Sequence, residues 1–193
     1  EYDGVSNYYD GNVVANLGDT HGLIINNEFK VVEGAEKIWD FSNNSNITYA
    51  KKGDKIGFIN NKGEWIIEPA YDKARAFVNG LAPVMKDKEW GYINTKGDVV
   101  IPFQYKDAEI FSEDGLAPVK SSKLWGFINT EGKLVIEEKY DITAGGFSIF
   151  QKNNLKGFKD GVARVKEKKS WSYINTNGEV IKGLQFDNLE LFN

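Results

Sequence analysis

His21 is the only histidine in this 193-residue chain, and the chain contains no cysteine. Zinc sites are built from several histidine, cysteine or carboxylate ligands, so one histidine without cysteine offers no recognisable site of this kind. A catalytic serine would also have to use His21 as its base, and no Gly-x-Ser-x-Gly phrase is present. The sequence therefore predicts no catalytic residues, no metal site and no cofactor.

Carboxylates are the remaining candidates for chemistry, because the chain has 28 Asp and Glu residues. A glycosidase needs only two of them, set about 5–9.5 Å apart across a cleft. The acidic residues lie mainly in predicted turns, where solvation accounts for them. The doublet Gly145-Gly146 matches neither a phosphate-binding loop nor a dinucleotide fingerprint. We therefore predict that the protein is not an enzyme, and a hydrolase is the least favoured of the functions considered.

The composition of the chain limits its possible partners. The net charge is −4, with acidic and basic residues interspersed and no evident basic patch, so we expect no binding to nucleic acid. No apolar run approaches the ~20 residues that span a bilayer, so we expect no membrane insertion. Apolar residues make up 41% of the chain, which is enough to form a folded core.

The elements that must position any site come from a phrase that repeats along the chain. In its clearest copy it reads Trp90-Gly91-Tyr92-Ile93-Asn94 and ends at Gly97. Such repetition is typical of stacked units that cannot bury their apolar faces alone. We predict a single tandem array over residues 1–193, with an insertion at about 147–157. The second positions of the phrase, which anchor the units, are Gly22, Gly57, Gly91, Gly126 and Ser172.

One copy of the repeat predicts three antiparallel strands. Residues 81–85 and 90–94 are apolar stretches on either side of a charged loop, and a turn leads into a third run at 99–101. The third runs are apolar throughout, which predicts strands covered on both faces. A glycine such as Gly80 opens each unit and predicts a left-handed backbone, which Asn46 would adopt in the second copy. The predicted fold class is all-β, a tandem array of three-stranded antiparallel units, either solenoid-like or open and propeller-like.

Two copies carry the fullest form of the phrase: Gly80-Leu81-Ala82-Pro83-Val84 with Trp90-Gly91-Tyr92-Ile93, and Gly115-Leu116-Ala117-Pro118-Val119 with Trp125-Gly126-Phe127-Ile128. These phrases resemble the WG repeat, a bacterial module named for its Trp-Gly pair, over roughly residues 11 to 187. The resemblance implies an all-β repeat fold, frequent in exported or surface-associated bacterial proteins, without enzyme activity. His21 and Ile56 replace Trp and Ser172 replaces Gly, as expected for units near the ends of an array.

Aromatic residues divide into those that follow the repeat and those that do not. Large rings that recur at one phase favour core packing between units over stacking on a carbohydrate. Trp39, Phe147 and Phe150 fall outside that phase, and we predict them as the binding residues. The insertion that holds the two phenylalanines is equally compatible with a binding face and with a neutral surface loop. The tryptophans that follow the repeat are Trp90, Trp125 and Trp171.

These observations favour recognition as the function. We predict a non-catalytic β-repeat module that binds a protein or a glycan as a monomer, at the surface of a bacterial cell or outside it. A structural spacer or stalk is the alternative. An exposed aromatic groove would favour recognition, whereas a uniformly polar surface would favour the spacer. The chain begins at Glu1 without a signal-peptide pattern, so we expect a processed protein or a piece of a longer one.

Overall fold

The computed structural model describes residues 2–6, 12–41, 45–144 and 156–182 of the chain. Within these ranges the chain forms β-strands and no helix. The strands make five small sheets of four strands each. The predicted all-β tandem repeat fold is therefore confirmed, and each sheet has one strand more than the three that the sequence indicated.

Each of the first four repeats opens with a two-residue strand and continues with three longer ones. The first repeat contains β1 (Gly4–Val5), β2 (Asn12–Leu17), β3 (Thr20–Ile25) and β4 (Glu28–Val31). The second contains β5 (Lys37–Ile38), β6 (Ile47–Lys52), β7 (Lys55–Asn60) and β8 (Trp65–Tyr71). The third contains β9 (Lys73–Ala74), β10 (Leu81–Lys86), β11 (Glu89–Asn94) and β12 (Val99–Tyr105). The fourth contains β13 (Asp107–Ala108), β14 (Leu116–Lys120), β15 (Trp125–Asn129) and β16 (Leu134–Tyr140). The fifth contains β17 (Ile142–Ala144), β18 (Phe158–Lys159), β19 (Val162–Glu167) and β20 (Ser170–Asn175).

The chain divides into two compact units, each with its own apolar core. The first comprises Glu1–Lys88 with Ile93–Val99, and the second comprises Glu89–Tyr92 with Val100–Asn193. A single array over residues 1–193 stays a prediction. A buried cluster of the first unit contains Val14, Leu23, Val32, Ala35, Ile38, Ala50 and Ile59. A buried cluster of the second contains Leu116, Trp125, Phe127, Ile136, Tyr140, Phe158, Ala163, Val165 and Ile174.

The strand that the sequence did not indicate is the short one that opens each repeat. In the fourth repeat it pairs antiparallel with β14, with Ala108 opposite Val119. The backbone N–H of Glu109, the next residue, donates to the carbonyl of Pro118 at 2.9 Å. Two residues are too few to show the alternation of apolar and polar side chains that marks a strand, which is why the sequence pattern missed it.

The glycine of the Trp-Gly pair is required by a close approach of two backbones. The two strands that meet there, β15 and β16 in the fourth repeat, pair with irregular register. A Cβ on Gly126 would lie 2.6 Å from the carbonyl oxygen of Ile136 and 2.8 Å from the nitrogen of Glu138. A Cβ on Gly91 would lie 2.7 Å from the carbonyl oxygen of Ile101. Backbone atoms cannot swing aside, so a larger residue at this position would push the outer strand away.

Ser172 occupies the same position in the fifth repeat. The described part of the outer strand begins there as it does in the fourth repeat, because Ile174 pairs with Val180 as Ile128 pairs with Leu134. The Ile181 N–H donates to the carbonyl oxygen of Tyr173 at 2.9 Å.

A second glycine links each repeat to the one before it. It ends a turn in which asparagine holds the backbone, as Asn129 Oδ1 accepts hydrogen bonds from the N–H groups of Glu131 and Lys133 (3.1 and 2.9 Å). The glycine has positive φ, +81° at Gly132, and lies against a buried aliphatic side chain of the preceding repeat. The four pairs are Gly63 with Val32, Gly97 with Ile67, Gly132 with Ile101, and Gly178 with Ile136.

The outer strands do not match the prediction that both of their faces are covered. Each is the end strand of its sheet, so within the apolar run only the residue that points toward the next turn glycine is enclosed. The buried members are Ile67, Ile101 and Ile136. The flanking members Val99, Val100, Leu134 and Val135 are between 41% and 51% exposed.

The glycines that open the second strand of a repeat adopt the predicted left-handed backbone. Gly80 and Gly115 have φ of +75° and Gly161 has +78°. Asn46 is not among the described residues with positive φ, so that part of the prediction is wrong. In its repeat the turn is held instead by Ser45, whose Oγ accepts a hydrogen bond from the Ile47 N–H at 3.2 Å.

The repeated tryptophans are not equivalent. Trp90 and Trp125 are 5% and 8% exposed, which confirms the prediction that they belong to the core. Trp171 is 37% exposed, so the same prediction is wrong there. In the fourth repeat, residues of the fifth cover the face that Trp125 shares with Phe127, and Phe158 lies 4.9 Å from the Phe127 ring.

Gly126→Ala is expected to destabilise the protein by about 3 kcal/mol or more, because the new methyl group would meet backbone atoms of the outer strand. Gly115→Ala is the matched control. Its φ is positive but the space around its Cβ is open, so only the left-handed backbone strain, about 1–2 kcal/mol, should appear. Urea unfolding of both variants measures the difference, and equal losses would show that the strand approach does not require glycine.

Trp125→Ala is expected to lower the free energy of unfolding by about 3–5 kcal/mol, since a buried aromatic side chain leaves the core. Trp171→Ala should cost clearly less, because more than a third of that side chain is already in water. Denaturation followed by circular dichroism checks both. A loss at Trp125 within about 0.5 kcal/mol, the scale of ordinary surface substitutions, would contradict its role in the core.

Candidate functional site

One backbone position carries a chemically different side chain in each of the first four repeats, and we call it the variable position. It directly follows the short first strand, and its N–H donates to a carbonyl on the next strand. The four bonds run from Ser6 to Val14 (2.8 Å), from Trp39 to Tyr49 (3.1 Å), from Arg75 to Pro83 (3.0 Å) and from Glu109 to Pro118 (2.9 Å). In the second to fourth repeats a phenylalanine follows two residues later: Phe41, Phe77 and Phe111. Lys156 has the same spacing to Phe158 in the fifth repeat.

Trp39 therefore lies in phase with the repeat, contrary to the prediction that it falls outside. Phe41 lies 16 residues before its anchor glycine, whereas Phe77 lies 14 before its own. Because the two spacings differ, alignment of the repeats on the anchor glycine does not reveal that Trp39 is equivalent to Arg75. The phenylalanine two residues after the variable position is the sequence signal that could have found it.

Trp39 is half-buried and stacks on a tyrosine of the neighbouring strand. The ring centroids of Trp39 and Tyr49 are 4.7 Å apart, with 25° between the planes. The Nζ atom of Lys37 lies 4.5 Å from the Trp39 ring centroid, a cation–π distance. The Thr48 hydroxyl donates to the carbonyl oxygen of Trp39 at 2.8 Å, which fixes the backbone of the variable position. The indole is thus held in a defined orientation at the surface.

The stack continues inward through two buried phenylalanines. Tyr49 and Phe58 have ring centroids 6.3 Å apart, and Phe58 and Phe77 have centroids 4.8 Å apart. Phe58 and Phe77 belong to the buried core. A surface ring supported by successive aromatic neighbours loses little conformational freedom when it meets a ligand.

Charged residues surround the stacked pair. Burial raises the pKa of the Tyr49 phenol above its ordinary value, the positive charge of Arg75 opposes that shift, and the negative charge of Asp40 adds to it. The phenol is therefore protonated at neutral pH and offers a hydrogen-bond donor and acceptor. We define the Trp39 surface as Lys37, Trp39, Asp40, Tyr49 and Arg75. Its chemistry is that of binding: two rings, two cations, one carboxylate and one hydroxyl.

The second unit uses the variable position differently. Lys156 Nζ and Glu109 Oε1 form an ion pair at 2.8 Å, and the Glu109 side chain is almost fully enclosed. The Tyr92 hydroxyl donates to the backbone carbonyl of Glu109 at 2.8 Å. Lys156 Nζ also lies 5.8 Å from the centroid of the Trp125 ring. These contacts hold residues of the fifth repeat against the fourth, which is a structural role.

The remaining candidate residues from the sequence do not come together in a site within the described part of the chain. Phe147 and Phe150, predicted as binding residues within the insertion, lie outside the described residues. The Nδ1 atom of His21 lies 3.2 Å from the carbonyl oxygen of Asp19, an ordinary turn contact. Over the described ranges, no group of three or more histidine or acidic side chains is placed to hold a metal ion. No described helix is long and apolar enough to cross a membrane.

Solved structures show the same fold at low sequence identity. Hsv2 from Kluyveromyces marxianus superposes with a TM-score of 0.55 at 12% identity, covering 96% of this chain and 62% of that one. Hsv2 from Kluyveromyces lactis gives a TM-score of 0.54 at 13% identity, covering 98% and 66%. The chain thus spans about two thirds or less of the length of these β-propeller-like proteins. The likeness is one of fold alone. Curated proteins gave no match to the sequence.

The sequence itself matches a repeat family over most of its length. The family described as the WG containing repeat matches residues 56–90, 90–124, 125–155 and 171–193. The first repeat is outside these matches, although its four strands form the same kind of sheet. Its turn between β3 and β4 uses Asn26 and Asn27 at positive φ in place of the usual Asn-x-x-Gly turn. The chain belongs to the WG containing repeat family.

Proposed function

We propose that the protein is a non-catalytic recognition module that binds a protein or a glycan through the Trp39 surface. The observation that carries this proposal is the stack of Trp39 on Tyr49, held at the surface with Lys37 over the indole ring. The equivalent positions in the third and fourth repeats hold Arg75 and Glu109. The strand pairing that the repeats share therefore does not require a tryptophan at this position.

This interpretation is favoured over a structural spacer because the fold does not need the stack. The fourth repeat forms the same four-stranded sheet with Glu109 at the variable position and Pro118 opposite it. A spacer would be served equally well by a polar side chain in place of Trp39. A half-buried tryptophan at the surface is typical of binding hot spots, where large rigid rings supply contact area at low entropic cost.

The surroundings of the ring indicate how a ligand would meet it. Tyr49 lies along one face of Trp39, and Lys37 lies over the ring. An exposed cation–π contact is worth about 0.5–1 kcal/mol, so a sugar ring or an aromatic side chain could displace the Lys37 ammonium at small cost. Lys37 would then be able to pair with hydroxyl or carboxylate groups of the ligand. Phe147 and Phe150 remain part of the proposed binding set.

We further propose that the protein acts as a monomeric module of a bacterial surface or exported protein. The resemblance of its repeats to modules frequent in such proteins supports this location. The same proposal excludes nucleic acid as a ligand and insertion into a membrane. No catalytic residues and no cofactor are assigned.

Trp39→Ala is expected to weaken ligand binding about fivefold or more, the loss of roughly 1 kcal/mol that marks an interface anchor. The ligand would be sought on a glycan array and among purified host-surface proteins, and its affinity then measured by titration. Lys37→Ala should have a smaller effect, and Phe150→Ala should weaken binding without changing stability. Lys73→Ala is the matched control, because Lys73 occupies the position of Lys37 in a repeat that has no stacked pair.

The assignment would be wrong if a ligand were found whose affinity is the same for Trp39→Ala, Phe150→Ala and the wild type. Circular dichroism of each variant separates loss of binding from loss of structure. If Phe150→Ala unfolds the protein, the insertion belongs to the core and is not a binding element.

Export can be tested without a ligand. We expect the protein in the culture medium or the cell-surface fraction of its source organism, as detected by an antibody against the purified chain. Recovery in the cytosolic fraction alone would contradict the proposed location and leave the Trp39 surface unaffected.

A further inference from the structure

One pair of facing residues in the second repeat differs from its counterparts in the other repeats. In each repeat, a residue of the opening strand lies opposite the residue five positions before the tryptophan position. Of these pairs, that of the second repeat alone brings two like charges together. The five pairs are Gly4 with Asn16, Lys37 with Lys51, Lys73 with Met85, Asp107 with Lys120, and Ile142 with Lys166.

Both lysines of that pair lie on the face of the sheet that carries Trp39. Lys37 comes two residues before Trp39, Lys51 comes two residues after Tyr49, and side chains alternate between the faces along a strand. Side chains directly opposite each other on one face have Cβ atoms about 4.5–5.5 Å apart. The two ammonium groups therefore share a small area beside the stack of Trp39 on Tyr49.

The fourth repeat shows how such a position is balanced elsewhere in the chain. Asp107 takes the place of Lys37 there, and its Oδ2 atom lies 3.9 Å from Nζ of Lys120, which takes the place of Lys51. Among the residues that the structure describes, neither lysine of the second repeat has such an ion pair. Like charges directly opposite each other destabilise a sheet. The second repeat thus carries a repulsion that the fourth avoids.

The acidic residues nearest in sequence have other contacts. Glu36 Oε1 accepts a hydrogen bond from the Gly53 N–H at 3.1 Å, at the turn that follows β6. The Asp40 carboxylate acts on the phenol of Tyr49, whose pKa it helps to raise. Neither carboxylate neutralises the lysine pair, so an anion from outside the chain is the group that would relieve the repulsion.

We propose that the Trp39 surface binds a glycan built from uronic acids, with a sugar ring on Trp39 and its carboxylate between Lys37 and Lys51. This inference rests on the proposed function, from whose ligands it selects the acidic glycans. The C–H face of the sugar packs on the indole ring, where the Lys37 ammonium lies in the free protein. The carboxylate then forms charge-assisted hydrogen bonds with both ammonium groups and removes their repulsion.

A uronic acid fits this arrangement better than an acidic peptide does. Lys37 Nζ lies 4.5 Å from the centroid of the Trp39 ring, so a carboxylate that meets it must be joined closely to the group on the ring. In a uronic acid the carboxylate is attached directly to the sugar ring. In an extended peptide, an apolar side chain and a carboxylate come from different residues, and side chains on the same face are roughly 6.5–7 Å apart.

The charge of the ligand can be tested with a tetramer of galacturonic acid and its methyl ester, which have the same rings but different charge. In titration calorimetry with the full chain, we expect the acid tetramer to bind at least about tenfold more tightly, and its affinity to fall as salt is raised. Trp39→Ala should weaken the binding of both tetramers, because both stack on the indole ring.

The lysine pair can be tested with the same two probes. Lys37→Met combined with Lys51→Met is expected to weaken the acid tetramer about tenfold and the ester less than about twofold, since each exposed ion pair contributes up to about fivefold. Lys62→Met combined with Lys73→Met is the matched control. It removes two exposed lysines but leaves the facing pair intact, so the affinity for the acid tetramer should not change.

The repulsion can also be measured without a ligand. Lys51→Met introduces the residue type that the third repeat has at this position, whereas Lys51→Arg keeps the charge. At low salt, we expect the melting temperature of Lys51→Met to be higher than that of Lys51→Arg by about 1–3 °C. The difference should narrow as salt is raised, because salt screens exposed charges. The more stable variant should bind the acid tetramer more weakly.

Five results would overturn the proposal. They are no binding of the acid tetramer, equal affinity for the acid and the ester, equal losses in the double variant and its control, a melting difference that salt does not change, and tighter binding of N-acetyl-tetraglutamate amide, a peptide of the same charge. The last result would make the ligand an acidic protein segment. If both tetramers bind equally and Trp39→Ala weakens both, the proposed function stands and only its restriction to acidic glycans is wrong.

Discussion

The close approach of two backbones at the Trp-Gly glycine is the constraint on which the repeat depends. With no side chain at Gly126, the outer strand can come near enough to pair with irregular register, and that pairing turns Ile136 toward the next repeat. The buried isoleucine then meets a turn glycine, which again has no side chain in the way. Each repeat thus depends on two glycines. One allows the close approach of two strands, and the other has the positive φ that the turn requires.

Because these steps rest on backbone atoms and a few aliphatic side chains, other positions are free to differ. The variable position is the clearest case, since its backbone hydrogen bond is kept while its side chain changes from Trp39 to Arg75 to Glu109. One of these side chains enters an aromatic stack, and another, the almost fully enclosed Glu109, forms an ion pair with Lys156. Strand β19 shows the same freedom, where Arg164, opposite Tyr173, takes the place that Pro118 has opposite Phe127 in β14.

The sequence predicted the repeat, its three long strands and its turns because each of these has a local signal. The Trp-Gly phrase, the asparagine turn and Gly80 each predict the local backbone conformation from neighbouring residues alone. The exposure of Val100 and Leu134 could not be predicted in this way, because an apolar run does not reveal that its strand ends a sheet. Asn46 was misjudged because Ser45 supplies another way to hold the same turn.

The candidate site was predicted only in part. Trp39 stays a predicted binding residue, but the reason given for it is wrong, since the residue is in phase with Arg75 and Glu109. The sequence did not indicate Tyr49, because its contact with Trp39 depends on the pairing of β5 with β6. Lys37 was missed because β5, which places it two residues before Trp39, is too short to have a sequence signal. Arg75 was missed because it approaches Tyr49 from another repeat. The exposed state of Trp171 was missed for a similar reason, because the burial of a repeated tryptophan depends on residues distant in sequence, as Lys156 shows at Trp125.

The link between a turn glycine and the isoleucine of the preceding repeat has a consequence for how such chains change in length. We call each such contact a joint. Three of the four joints pair a turn glycine with an isoleucine and the first pairs it with Val32, so the gain or loss of one whole repeat would join surfaces that already fit. A partial repeat would leave an isoleucine without its glycine or a glycine without its isoleucine. The natural unit of duplication is therefore one whole repeat. Extra residues are tolerated best in segments that contain neither the turn glycine nor its aliphatic partner, as between β17 and β18.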